Sequence, residues 1–192
     1  MLKKIVFDVE TQKEFAEVGG RNRNHLLKVS VCGIYDYAQD KYLIFEEREL
    51  PKMAPLFQAA DQLIGFNSIH FDVPVLQPYF DFDLSRVPHL DIMQEIEKVL
   101  GHRLSLEAVA QATLGKGKSG DGRRAIALFR AGRIDELKQY CLDDVKITRE
   151  LYDYALQNGK LMYSDFSAKK EIPLSISEPP ARVGVEHQSV LF

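Results

Sequence analysis

The segment Phe7-Asp8-Val9-Glu10-Thr11 ends an apolar strand with two acidic side chains. Side chains alternate between the two faces of a β-strand, so Asp8 and Glu10 project to the same side while Val9 turns into the core. Two carboxylates held this close repel each other, and a bound cation relieves the repulsion. Oxygen ligands of this kind select Mg²⁺ or Mn²⁺. The segment therefore predicts part of a metal site, although a strand that merely leaves the core for solvent has the same pattern.

A third acid follows another short buried strand. The run Gly65-Phe66-Asn67 ends that strand, and a helix is expected to begin there. Asn67 is a good N-cap residue for this helix, which places Asp72 in its first turns. Because the helix dipole favours negative charge at that end, Asp72 fits either a metal site or a purely structural role.

A fourth acid lies in a long predicted helix over residues 134–157. Tyr140 and Asp144 are four residues apart and share one helix face, where the phenol can share the water bound by the carboxylate. Asp143 is the competing acid, but it is rotated away from the line through Tyr140, so we rank it second. Tyr140 also fits a structural role in helix packing.

The hydrophobic pattern changes along the chain from strands to helices. Residues 3–9, 26–37 and 41–46 predict an antiparallel meander of three strands. After Pro51 the pattern becomes an alternation of helices and strands, and four helices are expected over residues 92–100, 105–114, 124–130 and 134–157. We therefore expect an α/β fold with a mixed central sheet flanked by helices over residues 1–165. Residues 166–192 carry several prolines and few large apolar residues, which predicts an extended or disordered tail.

Composition is that of a soluble protein, with 192 residues, 45% of them hydrophobic, and a net charge of −3. Two cysteines in apolar surroundings, no signal peptide and no membrane-spanning stretch indicate a reducing cytoplasm. The net charge gives no general attraction to nucleic acid, so such contacts depend on local basic clusters. Two are present, residues 21–25 with Lys28, and Lys116 and Lys118 with Arg123 and Arg124. Either could equally be a solvated loop.

The acidic segments together resemble the three exonuclease motifs of the DEDD superfamily, in its tyrosine branch, DEDDy. These are Phe7 to Glu10, Asn67 to Asp72, and Tyr140 to Asp144. The likeness is closest to the 3′-to-5′ exonuclease domain of family B DNA polymerases; it extends over residues 3–157 and includes Asp91 and the run from Ser105 to Ala110. The histidine branch would require His at position 139, which is Gln139.

The resemblance implies an RNase H-like fold and two divalent ions, Mg²⁺ or Mn²⁺. Asp8, Glu10 and Asp144 would hold one ion, Asp8 would bridge to the second, and Asp72 would hold that second ion, directly or through water. Tyr140 would orient the attacking water or the scissile phosphate. The expected activity is release of nucleoside 5′-monophosphates from single-stranded DNA 3′ ends, in repair or proofreading. The substrate contacts that we expect are Thr11, Asn67, Phe71, Lys116 and Lys118.

Two other functions fit the same residues. One is an RNase D-like exoribonuclease, because such motifs recognise the backbone and do not separate DNA from RNA. The other is a non-catalytic nucleic-acid-binding or clamp-adaptor module, which predicts that a metal ligand is missing.

The chain ends in Gln188-Ser189-Val190-Leu191-Phe192, which resembles the peptide that binds the bacterial sliding clamp. The expected partner contacts are Gln188, Leu191 and Phe192, since such peptides insert paired apolar side chains into a pocket. Alternatively, these last residues pack back on the domain.

Overall fold

The computed structural model describes residues 2–117, 122–165 and 168–180. The main sheet has five strands: β1 (Lys4–Thr11), β2 (Val29–Asp36), β3 (Lys41–Glu46), β4 (Gln62–Gly65) and β5 (His89–Asp91). Their order is β3-β2-β1-β4-β5. The β1–β2 and β2–β3 pairs are antiparallel, whereas the β1–β4 and β4–β5 pairs are parallel. The predicted α/β fold with a mixed sheet and an antiparallel meander is confirmed.

Helices cover both faces of this sheet. Those in the described ranges are α1 (Ala54–Gln58), α2 (Asp72–Leu76), α3 (Ile92–Leu100), α4 (Leu106–Leu114), α5 (Gly122–Arg130) and α6 (Ile134–Asn158). Their bounds agree closely with the sequence predictions from residue 92 onward, including the predicted cap at Ser105, whose hydroxyl accepts a hydrogen bond from the Ala108 amide. None of these helices has the length and apolar character that crossing a bilayer requires.

Strand β1 separates two hydrophobic cores because its side chains alternate between the faces of the sheet. Ile5, Phe7 and Val9 pack into the core that contains α1 and α2. On the opposite face, Val6 packs into the core formed with α3, α4 and α6. Asp8 and Glu10 project to this second face, as the alternation predicts.

Helix α6 lies against β1 and β2 on that second face. Its approach is close at Gly33 of β2, where an added Cβ would lie 3.0 Å from Val145 Cγ2 and 3.1 Å from Cys141 Sγ. A side chain at this position would press on these two side chains of α6, which leave it no room. The glycine therefore sets the distance between the helix that carries Asp144 and the strand that carries Asp8.

Two short strands after α6 were not predicted from the sequence. β6 (Lys160–Ser164) and β7 (Lys169–Pro173) form an antiparallel hairpin. Ile172 is fully buried in the second core, and the Leu174 amide donates a hydrogen bond to Gly159, so residues 169–174 pack on the domain instead of forming an extended tail there. β7 was not predicted because its single large apolar residue, Ile172, gives no periodic pattern. The expected tail beyond residue 180 lies outside the described residues.

Candidate active site

Three carboxylates meet on the second face of the sheet. Asp8, Glu10 and Asp144 each offer an oxygen, and these oxygens lie within 4.8 Å of one another. Strand alternation brings the first two together, and α6 contributes the third. Glu10 and Asp144 are buried, with 6% and 2% of their surfaces exposed. A group of hard oxygen donors at this spacing fits a divalent ion such as Mg²⁺ or Mn²⁺.

Cys141 packs directly beneath this group. Its thiol lies 3.5 Å from the backbone oxygen of Asp8 and 3.9 Å from its carboxylate. Burial, and then the charges of Asp8 and Glu10, raise the pKa of the Cys141 thiol well above its usual value. The thiol therefore stays protonated and acts as a packing group with a weak S–H donor.

Asp72 also lines the cavity that holds the three grouped carboxylates. One of its carboxylate oxygens accepts a hydrogen bond of 2.9 Å from the backbone N–H of Val9, between the two acids of the strand. β4 pairs with β1 only as far as Val6, so Asp72 bonds to β1 beyond the end of that pairing. Burial, followed by the charge of Asp8, raises the pKa of Asp72 well above its ordinary range. All four predicted acids thus line one cavity, three of them in a tight group.

The turn before Asp72 is held by Asp91, not by a helix cap. Asn67 was predicted as an N-cap, and this is wrong: it has a positive φ of 65°, and α2 begins only at Asp72. The Asn67 and Ile69 amides donate hydrogen bonds of 2.8 and 3.0 Å to the Asp91 carboxylate. The same carboxylate caps α3 through the amides of Met93 and Gln94. The Asp91 carboxylate thus holds the loop through its backbone amides, and the Asn67 side chain does not act as a cap.

The cavity around the acids has a volume of about 600 Å³. Leu27, Phe71 and Ile126 supply apolar walls, and Thr11 also lines it. The expected contacts Thr11 and Phe71 therefore lie at the site. Asn67 and Lys116 are not among the residues that line it: Lys116 pairs with Glu150 of α6 at 2.7 Å. Lys118 lies outside the described residues, as do Gln188, Leu191 and Phe192.

Sequence reasoning missed Lys13 and Phe15 in the cavity wall, whereas Arg21 and Arg123 belong to the two basic clusters that it had named as candidate nucleic-acid contacts. The segment between β1 and β2 contributes Lys13, Phe15 and Arg21, and the start of α5 contributes Arg123. The rings of Phe15 and Phe71 meet edge to face, with centroids 5.9 Å apart. The guanidinium of Arg21 lies over the Phe15 ring, 5.5 Å from its centroid. The segment between β1 and β2 folds as short 3₁₀ turns, which have no helical or strand periodicity. In this segment, basic residues such as Lys13 and Arg21 were the sequence feature that could have indicated a phosphate-binding wall.

Tyr140 and Asp143 occupy different sides of α6. Tyr140 is 4% exposed and packs with α5 and Val31, with Arg124 at 6.0 Å from its ring centre. It lies one turn before Asp144, but among the described residues it is not one that lines the cavity. Asp143 instead accepts a hydrogen bond of 2.8 Å from Gln139 on the outer side of the helix. The geometry therefore places Asp144, and not Asp143, in the acidic group.

Comparison with protein families matches the chain to the RNase H superfamily over residues 5–156. The match runs from β1 almost to the end of α6 and includes all four acids. No curated protein sequence matches the chain. RNase H-like nucleases act on nucleic acids and generally use divalent metal ions, and the group formed by Asp8, Glu10 and Asp144 could bind one. The chain therefore belongs to the RNase H superfamily.

Proposed function

We propose that the protein is a 3′-to-5′ exonuclease of the DEDDy type that removes nucleoside 5′-monophosphates from single-stranded DNA. The observation that carries this proposal is the group of oxygens from Asp8, Glu10 and Asp144 within 4.8 Å, lining a cavity that is large enough for a nucleotide. Asp72, which lines the same cavity, supplies the fourth acid that the resemblance requires.

The donor set fits divalent ions of the magnesium class. All donors are carboxylate oxygens on rigid elements, two from β1 and one each from α2 and α6. Asp8, Glu10 and Asp144 would hold one ion, and Asp8 with Asp72 would hold a second. Two such ions, when bound, lower the pKa of a water nucleophile and stabilise the leaving 3′ oxygen.

The chain's own groups orient the substrate in this scheme. The apolar walls formed by Leu27, Phe71 and Ile126 would hold the terminal base and sugar and exclude water from them. Lys13 and Arg123 line the same cavity, where positive charge favours a phosphate. Val9 fixes the Asp72 carboxylate through its backbone N–H, so that acid keeps its position without moving toward solvent.

Tyr140 has a separate role in this proposal. It precedes Asp144 by one helical turn, and we assign its hydroxyl to the orientation of the attacking water or of the scissile phosphate. This is a positioning role that acts on the same phosphodiester as the acids. The packing of its ring against α5 would limit the rotation of the side chain and hold the hydroxyl in one position.

A direct assay tests the proposal. Single-stranded DNA labelled at its 5′ end is incubated with the protein and Mg²⁺ or Mn²⁺, and matched RNA is run beside it. We expect a ladder that shortens from the 3′ end, release of nucleoside 5′-monophosphates, and faster digestion of DNA. Asp8→Asn and Asp144→Asn should abolish the ladder, and Asp143→Asn should retain it. Internal cleavage, or digestion unaffected by Asp8→Asn, would overturn the assignment.

We also propose that the last five residues bind a sliding clamp, and that the enzyme acts in DNA repair or proofreading. A protein with a net charge of −3 binds DNA weakly through general electrostatics, and a tether raises its local concentration. Removal of residues 188–192 should abolish clamp binding in surface plasmon resonance and leave digestion of short oligonucleotides unchanged. Retained clamp binding would refute this part of the proposal alone.

A further inference from the structure

A second cavity adjoins the candidate active site on the segment between β1 and β2. It has a volume of about 460 Å³. Lys13 lines both cavities, so the two are neighbours. The remaining lining includes Glu17, Arg23, His25 and Lys28. The cavity is therefore a basic cleft, defined here by Lys13, Arg23, His25 and Lys28, that opens beside the acidic group.

The charge of the basic cleft is unbalanced within the protein. Glu17 is its one acidic lining residue among those described, and Arg130 of α5 donates a hydrogen bond of 2.5 Å to that carboxylate. In the part of the chain that the structure describes, no carboxylate forms an ion pair with Arg23 or Lys28. In a chain of net charge −3, this recess is therefore locally cationic. Such a recess attracts a polyanion.

The basic cleft is also held in shape by its surroundings. The Asn24 amide donates a hydrogen bond of 2.8 Å to the backbone oxygen of His70, next to the wall residue Phe71. The bond between Arg130 and Glu17 ties the other side of the segment to α5. Lys28 has a positive φ of 57°, a conformation that costs energy in residues with a Cβ and that clusters at functional sites. The segment is therefore anchored at both ends to elements that form the active-site cavity.

We propose, building on the exonuclease function above, that the basic cleft binds backbone phosphates of the substrate strand on the 5′ side of the scissile phosphodiester. An exonuclease of this polarity removes the 3′ nucleotide, so every remaining phosphate of the strand lies on the 5′ side. The neighbouring cavity is where the next part of a strand can pass. Phosphate contacts position a strand without reading its sequence, so the cleft serves DNA and RNA alike.

The test compares two substrates that differ in whether they reach the basic cleft. The p-nitrophenyl ester of thymidine 5′-monophosphate contains the scissile phosphodiester and one nucleotide, and it fills only the active-site cavity. A single-stranded oligonucleotide covers both cavities. The variant combines Arg23→Gln with Lys28→Asn, since asparagine tolerates positive φ. We expect kcat/KM on the oligonucleotide to fall about tenfold, mainly through KM, with ester hydrolysis within about twofold of wild type.

Salt dependence gives a readout that a folding defect would not produce. For a single strand, the slope of log affinity against log salt is about 0.7 per phosphate contact, so the double variant should lower the slope by about 1.4. Fluorescence anisotropy with labelled DNA and RNA in Ca²⁺ measures this without turnover. We expect the same loss for both nucleic acids, and Lys98→Gln, on the exposed side of α3, serves as the matched control.

The outcomes distinguish strand binding in the basic cleft from hydrolysis at the acidic group. Equal losses on ester and oligonucleotide, an unchanged slope, or a loss for only one of DNA and RNA would overturn the role of the basic cleft. If wild type hydrolyses neither substrate, the exonuclease proposal fails, while the anisotropy slopes still decide whether the basic cleft binds a strand.

Discussion

Gly33 faces Asp8 across the antiparallel β1–β2 ladder, and an added Cβ at Gly33 would press on both Val145 and Cys141 of α6. The missing side chain lets α6 approach the sheet at the residue that pairs with Asp8. Cys141 then touches Asp8, and Asp144, one turn further along the helix, reaches the same acid. The acidic group therefore depends on a close helix–strand contact as well as on its own carboxylates.

Replacement of this glycine should disturb the group without touching an acid. In Gly33→Ala, the contacts of 3.0 and 3.1 Å with the Val145 and Cys141 side chains of α6 must relax, and we expect α6 to shift with them. We expect the free energy of unfolding to fall by about 1–3 kcal/mol and Mn²⁺ affinity to weaken at the same time. Urea denaturation and metal titration measure the two effects. Gly117→Ala is the control, because an added Cβ there meets only the flexible Gln111 side chain among the residues that the structure describes. Unchanged metal affinity in Gly33→Ala would show that the spacing is not critical.

The Tyr140 hydroxyl can be tested separately from its ring. Tyr140→Phe keeps the packing with α5 and Val31 and removes one oxygen. If the hydroxyl orients water or phosphate, kcat should fall by about 10²-fold with KM and Mn²⁺ affinity little changed. Steady-state kinetics on labelled DNA measure this. A variant with wild-type kcat would leave Tyr140 as a packing residue and place the enzyme outside the tyrosine branch.

Asp91 is expected to act as a positioning residue for Asp72. It is 1% exposed and accepts hydrogen bonds from the amides of Asn67 and Ile69, at the start of the turn that leads to Asp72. In Asp91→Asn the new NH₂ group must face at least one of these donors, which costs about 1–3 kcal/mol of stability.

Activity of Asp91→Asn should fall together with affinity for the second metal ion, because the turn no longer holds Asp72 in place. Asp83→Asn is the matched control, since Asp83 also caps a short helical turn but is exposed and does not line the active-site cavity. Metal titration with activity assays distinguishes the two variants. Full activity in a destabilised Asp91→Asn protein would contradict the positioning role.

His89 should make the fold sensitive to mild acid. Burial lowers the pKa of His89 to about 4, from an ordinary value of 6.5. Between these values the unfolded chain binds a proton that the folded chain does not, so stability decreases as the pH falls from 6.5 to 4. The loss approaches about 3 kcal/mol at the lower end.

His89→Gln removes this titration, and its amide can still bond the Ser68 hydroxyl, which lies 2.8 Å from the imidazole Nε2. Urea denaturation at pH 7 and near pH 4.5 should show a smaller loss of stability in the variant. Parallel losses in the two proteins would assign the acid sensitivity to other groups.

The sequence predicted those parts of the site that depend on local periodicity. Alternation in β1 put Asp8 and Glu10 on one side, and the spacing of four residues in α6 favoured Asp144 over Asp143. Asn67 shows why a local rule can fail: the Ile69 amide, which an Asn67 cap would have satisfied, bonds to Asp91, which is 22 residues away. The 3₁₀ segment that carries Phe15 and Arg21 has no period to detect, so its part in the cavity wall became visible only from the fold.

Binding of Mn²⁺ to the metal-free protein measures whether Asp8, Glu10 and Asp144 form a cation site. Isothermal titration calorimetry should show saturable binding to wild type, the same binding to Asp143→Asn, and affinity reduced by about tenfold or more in Asp8→Asn and Asp144→Asn. Absence of binding to wild type, or equal binding to wild type and Asp8→Asn, would contradict the account.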